Sequence, residues 1–320
     1  MMIDDEIATL VRSSLREALA GSPNDISEAL AQFDWQELVY TDEGFAFTAL
    51  FEEQGYLGAD TDALDIAIAT VLGLDGRAPV LWPLPAYTGA EDMGGSGVVM
   101  IEGVTLRDPL NAAKSILAPV AGRIQMVAVS SVEQVALGGM ARGSAWVRGR
   151  VCGTPTTDLG PWCDVEWRAR LALASELVGL AHRIIDLAAD QVSVRRQFGR
   201  AIASNQAVRF RLAEAYVEMV GAQALIAAAW QDRLPAAAGW AKAAAGLAHD
   251  VVAKHAMQVC GAIGLSDEHP LPGLVRRGMA LDALLGSALS QQLRIGKELF
   301  AHQRNTESSQ EAACLAVGRF

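Results

Sequence analysis

The chain is short of cysteine, of long apolar runs and of positive charge, and each shortage removes a class of protein. Its four cysteines, Cys152, Cys163, Cys260 and Cys314, form no CxxC pair and have no histidine at ligand spacing. Neither a disulfide framework nor a zinc site is indicated, so free thiols and no metal are expected. No stretch approaches the roughly 18 apolar residues of a membrane span, and the acidic start MMIDDEIATL lacks the basic-then-apolar layout of a secretory signal. A cytoplasmic protein off the membrane is the expectation. With 26 Lys and Arg against 37 Asp and Glu, the net charge of -11 argues against a nucleic-acid surface. What is present, 51% hydrophobic residues over 320 positions, is ample for a sizeable core.

The texture of the chain changes twice. Residues 3–20 place Ile7, Leu10, Val11, Leu15 and Leu19 at helical spacing; 25–33 and 48–57 fit short helices, and 62–72 a longer one ending at Gly73. An all-helical region is therefore expected over 1–76. From 77 to 155 the β-prone runs PVLWPL, GVVMIEGVTL, IQMVAVSSV and SAWVRGRV predict a small β domain of about five strands, with VCGTPTTDLGPW as a linker. From 164 to 320 the pattern predicts four long helices joined by short loops, a four-helix bundle. One carries Leu173, Leu177, Leu180, Ala181, Ile184, Leu187, Ala188 and Gln191 on one stripe; a second, 206–232, has Leu212, Tyr216 and Val220 on its buried side. The third spans about 239–260 and the fourth about 272–300. The fold class is mainly α with a small β domain.

One local absence is the most informative. Between Asp190 and Glu214 there is no acidic residue, yet Arg195, Arg196, Arg200, Arg209 and Arg211 stand there, three of them in RRQFGR. Uncompensated guanidinium groups, expected here on helices before and after the glycine, favour a phosphate or pyrophosphate, which they bind with charge-assisted and often bidentate hydrogen bonds. A second stretch, MQVCGAIGLSDEHPL, ends a helix at Gly261 and Gly264. Gly261 lets a backbone or flat ligand come close, and Gln258, nearly one turn earlier, offers an amide for a polar ring edge. His255 reads as a packed or half-exposed histidine, and Glu268 as a cap of the following helix.

Together with LVGLAHRIIDLAADQV, the segments VRRQFGRAIASNQAVRFRLAE and MQVCGAIGLSDEHPL resemble the C-terminal bundle of the acyl-CoA dehydrogenases. The order helical domain, reduced middle β domain, C-terminal four-helix bundle resembles that family too. The resemblance implies FAD. It assigns Arg195 to the pyrophosphate, Gln197 and Phe198 to the adenosine portion, Asn205 and Gln206 to a second contact, and Gln258, Gly261 and Ala262 to the adenine side. Ala262 stands where the family has a second glycine.

The family's reaction needs a carboxylate to remove the α proton of an acyl thioester while the β hydride passes to the flavin, and here the sequence departs from the pattern. The usual glutamate position falls on Leu285 and the alternative one on Ala169, both apolar. Asp282 and Glu166, each one turn away, are the near misses on which a self-sufficient dehydrogenase would depend. The pattern is similar to the shorter, base-lacking subunit of bacterial α2β2 acyl-CoA dehydrogenases of steroid catabolism. That likeness implies a larger partner subunit carrying the glutamate, an acyl-CoA substrate and an electron-transfer flavoprotein or similar acceptor. A non-catalytic scaffold remains the third alternative.

Overall fold

A computed structural model describes residues 4–21, 26–74, 79–84, 91–92, 97–106, 110–136, 144–197 and 199–301. Five helices open the chain: α1 Asp5–Gly21, α2 Ile26–Gln32, α3 Trp35–Thr41, α4 Glu43–Leu57 and α5 Ala63–Val71. On α1 only Val11, Leu15 and Leu19 are buried, while Ile7 and Leu10 face out. Helix α4 starts earlier than its apolar run suggests because Asp42 caps it, accepting the Phe45 N–H at 2.9 Å. Gly44 then leaves room for the Trp230 ring, which a Cβ would approach to 3.2 Å.

The antiparallel sheet comprises β1 Glu91–Asp92, β2 Val99–Thr105, β3 Ser115–Val120, β4 Arg123–Ala136 and β5 Val147–Pro161, in the order β1-β2-β5-β4-β3. The run PVLWPL is not a strand. It crosses from β3 to β2 by single bridges, Val80 to Leu117 and Trp82 to Val104, and Asp65 anchors it by accepting the Trp82 indole N–H at 2.8 Å. Nor is VCGTPTTDLGPW a linker: its ladder with β4 continues to Pro161, and α6 starts at the next residue. A smaller apolar cluster around Ile101, Ile116, Val127 and Val151 packs within the sheet, while the main core is continuous from Leu15 through Trp82 to Cys260.

The remaining helices are α6 Trp162–Val194, α7 Gln206–Asp232, α8 Pro235–Cys260, α9 Leu271–Ala283 and α10 over 288–301. Helix α6 is the axis. From Leu171 to Ala181 every residue is buried, since α4 covers one side and α7 and α8 the others, so a single apolar stripe understates it. At the α4/α6 crossing Gly55 and Gly179 are reciprocal: a Cβ on either would overlap the other helix's backbone, at Glu176 O and Glu52 O. Arg277 ties the layers together, donating to Asp60 Oδ1 at 2.9 Å and Glu176 Oε1 at 2.8 Å, while Gln54 Nε2 donates to Glu176 Oε2 at 2.9 Å.

Two expectations about the bundle fail. The buried side of α7 is Ala215, Met219, Ala222, Ile226, Ala229 and Trp230, with Tyr216 and Val220 exposed and Leu212 only partly buried. Alanines alternate with Met219, Ile226 and Trp230 on that side, while further apolar side chains, Phe210, Val217 and Leu225 among them, point outward. For the same reason α7 is, among the described residues, long and apolar enough by length and composition to cross a membrane, at mean hydropathy 1.3 with 28% of its window buried. The fourth helix is also broken. Leu285 at φ 56° and Gly286 at φ 98° separate α9 from α10.

Candidate functional site at the open end of the bundle

The RRQFGR stretch lies off the helices that its composition suggests. Arg195 is the C-cap of α6, extended at φ -71° and ψ 122°. Arg196–Gln197 (β6) and Arg200–Ala201 (β7) then pair as a minimal antiparallel hairpin, and a short turn over Ile202–Ser204 leads into α7. Gly199, at φ 78°, supplies the left-handed residue that such a tight reversal needs. Phe198 lies outside the described residues.

Arg195 unites the two motifs. Its Nη1 donates at 3.0 Å to the carbonyl of Cys260, the last residue of α8, where the helix dipole favours a cation. Gly261 follows at φ 68° and ψ -147°, a region essentially closed to any residue with a Cβ. A Cβ there would meet Arg195 Nη1 only at an ordinary 3.5 Å, so backbone conformation rather than lack of room requires this glycine. The close approach is at Gly264, where a Cβ would come within 2.9 Å of Cys260 Cβ.

Around this junction Gln197, Gln206, Gln258 and Ala262 are exposed, and Asn205 is half-buried. Asn205 precedes α7 without capping it; its Oδ1 accepts from Arg200 Nη2 at 2.7 Å. Between α7 and α8, Arg211 Nη1 and Glu214 Oε2 lie 3.3 Å from the two nitrogens of His255. None of the five arginines has an ion-pair partner among the described residues. Val194, Phe210, Ile263 and Leu265, all exposed, adjoin the motif residues along the chain. The result is a cationic, amide-bearing end with fork-shaped donors free for an anion.

The positions that would hold a base are of the opposite character. Leu285 and Ala169 are buried. Asp282 caps α10, accepting from the Ala288 N–H at 3.0 Å, and lies 3.7 Å from Lys242 Nζ, which also donates to the Asp282 carbonyl at 3.0 Å. Glu166 pairs with Arg170 at 2.8 Å, and Arg170 and Gln291 donate to the Leu285 carbonyl at 3.3 and 3.0 Å. Ser287 accepts the Ser290 N–H at 3.3 Å and so belongs to the start of α10. In the Glu268-His269 loop it is His269 Nδ1, not the acid, that accepts the Leu271 N–H, at 3.1 Å.

Burial lowers the pKa of Lys242 to about 8, partly offset by Asp282 and reinforced by Arg170. Below that value both folded and unfolded chains hold the proton; between it and the ordinary value of 10.5 only the unfolded chain does. The Lys242 contribution to stability therefore rises with pH through that window. Urea midpoints measured on either side of it should show a gain that Lys242→Met lacks. Parallel profiles for the two proteins would refute the assignment.

The acyl-CoA dehydrogenase C-terminal domain family matches residues 168–300. Acyl-CoA dehydrogenase IpdE2 of Mycolicibacterium smegmatis is 32% identical over 145 residues, 45% of this chain and 47% of that protein. The chain spans about half the length of the curated relatives it matches. Among solved structures, the ChsE4-ChsE5 complex from Mycobacterium tuberculosis superposes with TM-score 0.72 at 19% identity, covering 93% of this chain and 98% of that one. A Tcur3481-Tcur3483 steroid ACAD variant gives 0.74 at 20% identity, covering 94% and 99%. Residues 168–300, with the arginine hairpin and Gly261 junction inside them, match an acyl-CoA dehydrogenase C-terminal domain, in a chain whose fold is similar to those solved structures.

Proposed function

We propose that this chain is the base-lacking subunit of a heteromeric, FAD-dependent acyl-CoA dehydrogenase, in which a larger partner contributes the catalytic glutamate. One contrast carries the proposal. The nucleotide-facing end keeps its guanidinium and amide groups open, whereas both base positions are apolar and both nearby carboxylates already serve the fold. The likeness to a two-component complex and to a steroid ACAD supports an α2β2 assembly and a steroid-derived acyl-CoA, oxidised to the 2,3-enoyl-CoA. Its electrons would pass to an electron-transfer flavoprotein or similar acceptor, in the cytoplasm.

The residues fit the dinucleotide half of FAD. Arg195 holds its guanidinium on a carbonyl rather than a carboxylate, so its positive charge is not neutralised and can face a pyrophosphate. Gln258 and the Gly261 backbone would hold the adenine side, Gln197 the adenosine, and Asn205 and Gln206 the second contact. When bound, FAD supplies the hydride acceptor; this chain's part is to hold and orient it.

Asp282→Asn and Glu166→Gln in the assembled enzyme test the division. Turnover within about twofold of the parent is expected, because removing a true general base costs about 10²-fold or more. A collapse of turnover in a complex that still assembles would transfer the chemistry to this chain.

A further inference from the structure

Two arginines reach the same end of α8 from different elements, and each is held by a neutral acceptor. Arg195, at the end of α6, donates to the Cys260 carbonyl at 3.0 Å. Arg211, on α7, has its Nη1 3.3 Å from Nδ1 of His255. A guanidinium carries donors only, so Nδ1 offers its lone pair and the ring proton of the neutral imidazole stands on Nε2. That nitrogen faces Glu214 Oε2 at 3.3 Å, which accepts its hydrogen bond and fixes the tautomer. Glu214 lies one turn from Arg211 on α7, yet among the described residues the two do not pair directly. The interposed imidazole leaves the guanidinium charged while aiming it, and the ring is itself held, its side chain 12% exposed. Gln258 lies nearly one turn beyond His255 on the same face of α8. The acceptors at His255 and Cys260 bracket it, about 7.5 Å apart along the axis at 1.5 Å per residue.

We propose that Arg211 is a further cofactor contact, donating to an acceptor atom of the adenosine portion beside Gln258, and that His255 is its positioning residue. This rests on the nucleotide assignment made above and extends it to two residues outside both sequence motifs' assigned contacts. With the pyrophosphate at Arg195 and the adenine side at Gln258, a guanidinium held at His255 falls on the adenosine side. Arg211 is exposed and makes no second hydrogen bond among the described residues, so its remaining donors are open. His255 has its polar contacts with Arg211 and Glu214 and acts through the arginine.

FAD affinity of the assembled enzyme, read as flavin retained at limiting FAD, is the test. Arg211→Ala should weaken it about tenfold, the loss of one hydrogen bond to a charged group, and His255→Leu about fivefold. His255→Asn, whose Oδ1 replaces Nδ1 as acceptor, should stay within about twofold of the parent. The double variant Arg211→Ala/His255→Leu should be no weaker than Arg211→Ala alone, because the histidine acts only through the arginine. Nitrogen chemical shifts of labelled histidine in the wild-type chain of the assembled enzyme should show the neutral His255 ring as the Nε2–H tautomer. Parent-like affinity in Arg211→Ala, additive losses in the double variant, no rescue by asparagine, or an Nδ1–H tautomer each overturns the proposal. Where Arg195→Ala still loses FAD, the shared-site reading survives that failure; where it too keeps FAD, both fall.

Discussion

Arg195→Ala, introduced into the assembled enzyme, should lower FAD affinity by roughly 10- to 150-fold, the equivalent of about 1.5–3 kcal/mol for hydrogen bonds to a charged group. The size of the effect follows from the environment. The guanidinium is fixed by one bond to the Cys260 carbonyl, with no carboxylate among the described residues to neutralise it, so truncation removes both the charge and a pre-oriented fork. Arg195→Lys should fall between, keeping a point charge and losing the planar geometry. Gln258→Ala should cost less, since it removes a neutral amide from an exposed position. Flavin absorbance per assembled complex at limiting FAD reads all three. Unchanged flavin content in Arg195→Ala and Gln258→Ala would favour the scaffold alternative. The thermal midpoint of each variant separates cofactor loss from loss of the α6 C-terminus.

Gly179→Ala should be strongly destabilising for a single-methyl change, by about 3 kcal/mol or more. Overpacking usually costs less because a side chain moves aside. Here the obstacle is the Glu52 carbonyl of α4, with the Tyr56 nitrogen 2.9 Å from the same Cβ, and Gly55 makes the same demand from the other side. Relief requires two helices to separate, which opens the Arg277–Glu176–Gln54 network beneath them and exposes ionised groups. Gly221→Ala on α7 is the control. Nothing lies within 4 Å of its added methyl, so helix propensity predicts a gain of about 0.5–1 kcal/mol. Denaturant unfolding of the two variants should move in opposite directions; similar small shifts would mean the crossing is looser than its glycines imply.

That the two motifs are distinct features of the chain was legible in the sequence because their signals are local, and the structure joins them through Arg195 and the Cys260 carbonyl. Arg195, Gly261 and Gln258 stand in short motifs whose spacing survives whatever the rest of the chain does. Less legible was how those residues are held, since the composition of RRQFGR suggests helix while one glycine at positive φ folds it into a hairpin. The orientation of α7 could not follow from hydrophobicity, because apolar residues stand on both sides: Ala215, Met219, Ala222, Ile226, Ala229 and Trp230 are buried while Phe210, Tyr216, Val217 and Val220 face out. Strand β3 was hidden by Pro119, a residue tolerated there because β3 is an edge of the sheet. The task of Asp282 depends on Lys242, which reaches it from α8 through a tertiary contact that no spacing rule encodes, whereas Glu166 and Arg170 are an i,i+4 pair on α6 that helix spacing does encode.

The shared-site account is tested most directly by purifying the chain alone and together with a glutamate-bearing acyl-CoA dehydrogenase homologue, then measuring flavin absorbance and acyl-CoA oxidation. A colourless or unstable, inactive protein alone and a yellow, active complex together are expected. Oxidation of an acyl-CoA by the single chain would contradict it.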